Sequence, residues 1–422
     1  MRSVHVEQIP LEGSEYIKIN YYIEHLVLVG LFGALFLPSL NVGIAINSIT
    51  IVSLIIILLL PFLIFMQKIE INRFVVWYTF ILITMFYSIN YSYIVLDVET
   101  TYRDYMEWFR YAQVLPYLLV TSLIDYDSFE KKILIYLKVS VIFVFFIAFL
   151  QITNIGNLGY LTGLIYSSAG HTEAMLSGAH RIIVTGSDPN VGALIVLFLI
   201  LLTFLSKQIK IYKIFQIVTL LIVLLSTQSR TVFFGLASSL FIYMLIFSKT
   251  NFFIKVFVVL LISYIFYQVL QFLNLEYILI GFQMALEGTN TSLNVRFENV
   301  FLAYERFLES VALGWGPAKS IHDTVIDSEY ALILQRYGLV GMFFFLGYLV
   351  LIMHFSYKLY KKEFNTRINI PLVGFLISIV GFVVMATNTF FAGYQAVAIS
   401  TFMIITLVSY KNQTIKVANE TN

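Results

Sequence analysis

Long apolar runs separated by short polar turns make up most of the chain. A window of about 19 residues places such runs near 21–38, 44–66, 74–95, 108–124 and 134–153, then near 188–205, 212–228 and 231–247. Four more follow near 252–272, 338–358, 369–388 and 394–410. Runs of this length satisfy their own backbone in lipid only as helices. The alternating ten-residue strands of a membrane barrel are missing. The pattern therefore predicts an all-α polytopic integral membrane protein with about 12 transmembrane helices. The run at 108–124 fits least well, because Glu107, Arg110 and Pro116 crowd it.

Two connections are too long to be simple turns, 154–187 and 273–337. A polar stretch as long as the second usually carries structure or function. No internal repeat or linker divides the chain, so residues 1–422 read as a single membrane-embedded domain. Composition agrees with the pattern. Of 422 residues, 59% are hydrophobic and only 12% charged, about half the charge of a soluble domain. A soluble enzyme, a nucleic-acid binder and a disordered chain are excluded on that ground. There is no cysteine and there are six scattered histidines, so no metal site and no cofactor is expected. Glu7, Glu12, Glu15 and Lys18 interrupt the first twenty residues, which do not read as a cleavable signal.

The charges sort by side. With both termini in the cytoplasm, the inner segments hold fifteen Lys and three Arg, and the outer ones seven Arg and one Lys. Lysine inside is the ordinary topological signal. Arginine outside has another use: it keeps its charge at any working pH and offers a planar fork to phosphate oxygens. Pairing with the outer carboxylates, or with lipid headgroups, is the alternative use.

No nucleotide-binding or hydrolase motif is present. Three outer segments carry the polar groups of interest. The first runs from His180–Arg181 to Ser187–Asp188–Pro189–Asn190, where Asp188 also reads as a helix cap. The second is the short turn Thr227–Gln228–Ser229–Arg230–Thr231. The third is the long loop, with Asn294–Val295–Arg296, Gly314–Trp315–Gly316, His322–Asp323, Asp327–Ser328–Glu329–Tyr330 and Arg336–Tyr337–Gly338–Leu339–Val340–Gly341. From Asp327 the spacing is helical, with Asp327 or Ser328 at the N-cap and Glu329 and Arg336 on one face.

Read in order, Ser-Asp-Pro-Asn before one span, Thr-Gln-Ser-Arg between two others, an outer Arg, then Gly-x-Gly, Asp-Ser-Glu-Tyr and Tyr-Gly-Leu-Val-Gly resemble the O-antigen ligase and polymerase superfamily. The nearer likeness is to the Wzy-type polymerases of O-antigen and capsule, over roughly residues 175–350. The ligase branch opens the last helix with His-Asn, where this chain has Asp327–Ser328 with His322 just upstream. That difference favours polymerase over ligase.

The resemblance implies a GT-C-like membrane glycosyltransferase of the bacterial cytoplasmic membrane, with its active site facing outward. It would act on undecaprenyl-pyrophosphate-linked glycans for lipopolysaccharide or capsule, beside a flippase and a chain-length regulator. Arg181, Arg230, Arg296 and Arg336 are then the expected pyrophosphate ligands. Asp327, Glu329 and His322 are the candidate catalytic bases, and Trp315, Tyr330 and Tyr337 the candidate sugar platforms. The rival class is a lipid-linked oligosaccharide flippase, which needs charges deep within several spans; these spans are clean at mid-depth.

Overall fold

A helix apolar on every side must be surrounded by others, whereas one with a single packed stripe faces solvent or lipid. Both kinds occur in the computed structural model. It describes residues 13–41, 45–66, 69–177, 180–247, 251–257, 291–319, 326, 328–361, 366–386, 390 and 393–420, with isolated positions at 260, 261, 264, 268, 284 and 287.

The described elements are α1 (Gly13–Phe36), a two-residue antiparallel pair β1 (Leu40–Asn41) and β2 (Ala45–Ile46), α2 (Ser48–Met66) and α3 (Arg73–Val95). Next come α4 (Tyr102–Ala112), α5 (Leu115–Leu119), a 3-10 turn (Val120–Leu123), α6 (Tyr126–Thr153), α7 (Leu158–Tyr166) and α8 (Ala169–Ser177). The chain continues through α9 (Pro189–Phe204), α10 (Lys210–Thr227), α11 (Arg230–Phe247) and α12 (Thr291–Glu309). It ends with α13 (Glu329–Tyr360), α14 (Ile370–Val384) and α15 (Tyr394–Glu420).

Every residue of α9 from Val191 to Thr203 is buried, and α14 is buried almost as completely. Together with α15 they form the centre, where Phe198 and Phe402 meet edge to face at 5.3 Å. The surrounding helices turn large apolar side chains outward, among them Leu58, Ile142 and Phe215. Seven helices among the described residues are long and apolar enough to cross a membrane, and α9 and α14 are shorter apolar helices. The structure is thus that of an all-α, multi-pass membrane protein.

Two features depart from the apolar pattern. The run at 108–124 is not one helix but α4, α5 and the 3-10 turn in succession, with Pro116 starting α5. The connection 154–187 carries α7 and α8. The expected run at 252–272 lies mostly outside the described residues. Inside the bundle, Lys132 and Glu24 form a buried ion pair at 2.7 Å. Ser128 Oγ and the amide of Asp125 also donate to Glu24, so its charge is fully dressed.

The long helix α13 is broken at Gly338, whose φ of 60° and ψ of −161° are non-helical. The sequence reading, a short helix running into a span, is what is found, and Ser328 takes the N-cap position. The break strands polar backbone groups that must find partners elsewhere. The amides of Trp315 and Gly316 donate to the carbonyls of Gln335 and Arg336, each at 2.8 Å. In return, Leu339 and Val340 donate to Val311 and Ala312 at 2.9 and 3.2 Å. Ser88 Oγ of α3 donates to the Arg336 carbonyl at 2.5 Å, fixing the break to its neighbour.

A Cβ at position 338 would lie 2.3 Å from the Ala312 carbonyl, on a backbone that L-residues avoid. Gly338→Ala is therefore expected to cost at least about 1–3 kcal/mol, read as a lowered unfolding midpoint in detergent. A midpoint equal to that of the parent protein would show that the break is not required.

Candidate functional site

Thr101 starts α4 with a capping box, in which Asp104 Oδ2 accepts from the Thr101 amide at 2.7 Å. Trp108 Nε1 donates to the Leu82 carbonyl at 2.9 Å and Tyr78 Oη to that of Tyr111 at 3.1 Å, pinning α4 to α3. The helix buries Asp104, Glu107 and Tyr111, positions three and four apart on one face. This is a polar stripe turned inward.

Glu107 is the centre of what that stripe meets. Its Oε1 accepts from Arg336 Nη1 at 2.6 Å and from Tyr337 Oη at 3.2 Å. Lys319 Nζ lies 2.6 Å from its Oε2, and Arg110 Nη2 lies 3.7 Å from Oε1. Lys319 is brought there because its amide donates to the second oxygen of Asp104 at 3.0 Å. Three cations thus share one buried carboxylate. The charges of Arg336, Arg110 and Lys319 offset the cost of burying this carboxylate. Arg110 also faces the rings of Tyr111 and Tyr394, at 5.3 and 5.8 Å. Its Nε is buried and has no hydrogen-bond partner among the described residues. Asp104, itself buried, adds a second carboxylate beside Lys319.

A second assembly joins two segments that are far apart in sequence. Arg181 Nε donates to the Thr227 carbonyl at 3.1 Å, and the Ile182 amide donates to that of Ser226 at 3.1 Å. Ser229 Oγ donates to Asn190 Oδ1 at 2.7 Å, and Arg230 follows as the first residue of α11. Gln151 clamps Val184 through both its amide and its carbonyl, at 2.8 and 2.9 Å. Val184 has a φ of 55°, a conformation that a β-branched residue rarely takes without a constraint. Asp188 caps α9, accepting from Asn190 and Val191, as its place before Pro189 suggested.

The expected residues therefore distribute as follows. Arg181 and the Arg230 turn come together, and Arg336 joins Glu107. Arg296 sits half-buried on α12, whose Ala303 packs on Ala331 and Leu332 of α13. Glu329 is buried and its carboxylate accepts from the Phe390 amide. Tyr337 is buried, stacked on Phe345 and bound to Glu107, so it supports that carboxylate and offers no open ring face. Tyr330 Oη donates to the Phe382 carbonyl at 2.7 Å, and Trp315 is half-buried beside the helix break. His322 and Asp327 lie outside the described residues. No cluster of metal-ligating side chains occurs among the described residues.

Glu107, Arg110 and Lys319 are the members that sequence reasoning did not assign to a site. The available signal was the charged stripe in the weakest apolar run, since Glu107 and Arg110 are one turn apart. Lys319, the lone outer lysine, was a second. Comparison with protein-family models and with characterised proteins finds no match to this chain.

Among the described residues Glu107 is the only carboxylate that all three cations contact, and Glu107→Gln is expected to cost about 3–5 kcal/mol, read as a lowered unfolding midpoint in detergent. A midpoint equal to that of the parent would remove Glu107 from this role.

Proposed function

We propose that this chain is a membrane glycosyltransferase that polymerises undecaprenyl-pyrophosphate-linked oligosaccharide repeat units, of O-antigen or capsule type, on the outer face of a bacterial cytoplasmic membrane. The observation that carries the reading is the convergence of Arg110, Lys319 and Arg336 on buried Glu107. On this reading the broken α4–α5 segment, the shorter helices, α15 and the run at 252–272 complete twelve crossings in a GT-C-like arrangement. Both termini then lie in the cytoplasm, and the Glu107 cluster and the Arg181–Arg230 assembly share the outer end.

The reaction needs two things from the protein. An acceptor hydroxyl attacks the anomeric carbon while the bond from that carbon to the pyrophosphate oxygen breaks. The electron pair leaves with the lipid pyrophosphate, whose growing charge the arginines and Lys319 neutralise; fixed cations in a water-poor site do this with little reorganisation. The hydroxyl proton passes to a base in the segment 322–329, where Asp327, Glu329 and His322 are the candidates. Of these, Glu329 already holds the Phe390 amide, so its geometry suits positioning as well as proton transfer. Sugar binding falls to Trp315 and Tyr330 ahead of the enclosed Tyr337. The activated lipid brings its own leaving group, so the step requires no cofactor.

Lys319 is the most exposed of the three cations, at 34% for its side chain, and its loss should spare the fold. Lys319→Gln is expected to slow chain extension by about a hundredfold with normal membrane insertion. Arg230→Lys keeps the charge but loses the fork, and should abolish the polysaccharide ladder. Deletion of the gene followed by gel analysis of surface glycan separates the classes. Loss of the ladder with one repeat retained supports a polymerase. Loss of all attached glycan, with lipid-linked polymer accumulating, would make the protein a ligase; repeat units trapped inside would make it a flippase.

A further inference from the structure

The end of the bundle opposite Glu107 holds a cavity of about 320 Å³, within the size of small-ligand pockets, about 300–1,000 Å³. It lies where the start of α3, the 3-10 turn, the far end of α13 and α15 meet. Arg73 and Lys411 line it, with Ser122 and Asn412 as neutral polar groups and Phe355 and Val408 as apolar wall. The Arg73 guanidinium lies 4.6 Å from the centroid of the Phe355 ring. Neither Arg73 nor Lys411 is ion-paired among the described residues. Glu70 also borders the cavity, and its amide donates to Ser122 Oγ at 3.3 Å. The lining thus sets two cations against one carboxylate.

A basic pocket between membrane helices on the lysine-rich side has the chemistry of a lipid headgroup site. We propose that this cavity binds the phosphate of an anionic membrane phospholipid, held between Arg73 and Lys411, with its glycerol on Ser122 and Asn412 and its chains leaving past Phe355 and Val408. The apolar wall is what favours a lipid over free phosphate: an inorganic anion gains nothing from Phe355 or Val408. The site would fasten the near ends of α3 and α13, whose far ends carry Ser88 and Arg336. It stands independently of the reaction proposed above.

The test uses the full chain in nanodiscs of phosphatidylcholine, with or without phosphatidylglycerol, followed by native mass spectrometry and thermal unfolding. Phosphatidylglycerol should remain bound and raise the midpoint. Inorganic phosphate added to phosphatidylcholine discs should leave the midpoint unchanged. Arg73→Gln and Lys411→Gln should each reduce lipid retention about fivefold and shrink the lipid-dependent rise. Arg73 is exposed and Lys411 half-buried, so the midpoint in phosphatidylcholine alone should be unaltered. Arg73→Lys should restore most of the retention. Full retention in both glutamine variants would overturn the proposal, as would an equal rise from inorganic phosphate alone. If only one glutamine variant is recovered, its retention decides the matter.

Discussion

One buried carboxylate facing three cations sets the terms for this end of the bundle. Opposite charges attract strongly where water is scarce, and unbalanced ones are punished equally strongly. Glu107 therefore fixes where α4, the loop at Lys319 and the first turns of α13 must sit relative to each other. Without that attraction Arg336 and Lys319 would still be tied together through the backbone bonds of residues 311–316 and the Lys319 amide on Asp104, but their like charges would lack the carboxylate between them.

Backbone accounting explains why the surrounding structure takes its form. Within lipid a helix can break only where something else receives its freed carbonyls and amides. The break at Gly338 meets this condition through Trp315, Gly316, Val311 and Ala312. In the loop before α9, the Gln151 side chain does the same for Val184. Each irregular stretch lies close in sequence to an arginine that the sequence singled out, Arg336 beside Gly338 and Arg181 before Val184. Irregular backbone and polar chemistry therefore coincide, and the regular spans around them serve as frame.

Much of the frame was legible in the chain. The run read at 188–205 is helical from Pro189 to Phe204, with Asp188 capping it, because a local motif determined its start. The helix read from Asp327 onward into the tenth span was legible from its helical spacing, although Ser328 at its N-cap makes no side-chain cap bond. The segment 108–124 was legible only as an anomaly: its charges were visible, but the break into α4, α5 and a 3-10 turn depends on packing against α3. The site was half legible. Arg181, Arg230 and Arg336 stood out by residue type and by the side to which the lysine pattern assigns them. Their partners did not, because Glu107 meets Lys319 through tertiary geometry, and no spacing rule joins residues so distant in sequence. Tyr337 illustrates the converse, since an aromatic near a loop looks available until its ring is found stacked under Phe345.

The stitching of residues 311–316 to residues 335–340 holds the stretch before Lys319 to a membrane helix by paired backbone bonds on both sides of the break. Length changes in either stretch, whether by drift between related chains or by deliberate insertion of a tag, would shift the register of every one of those bonds.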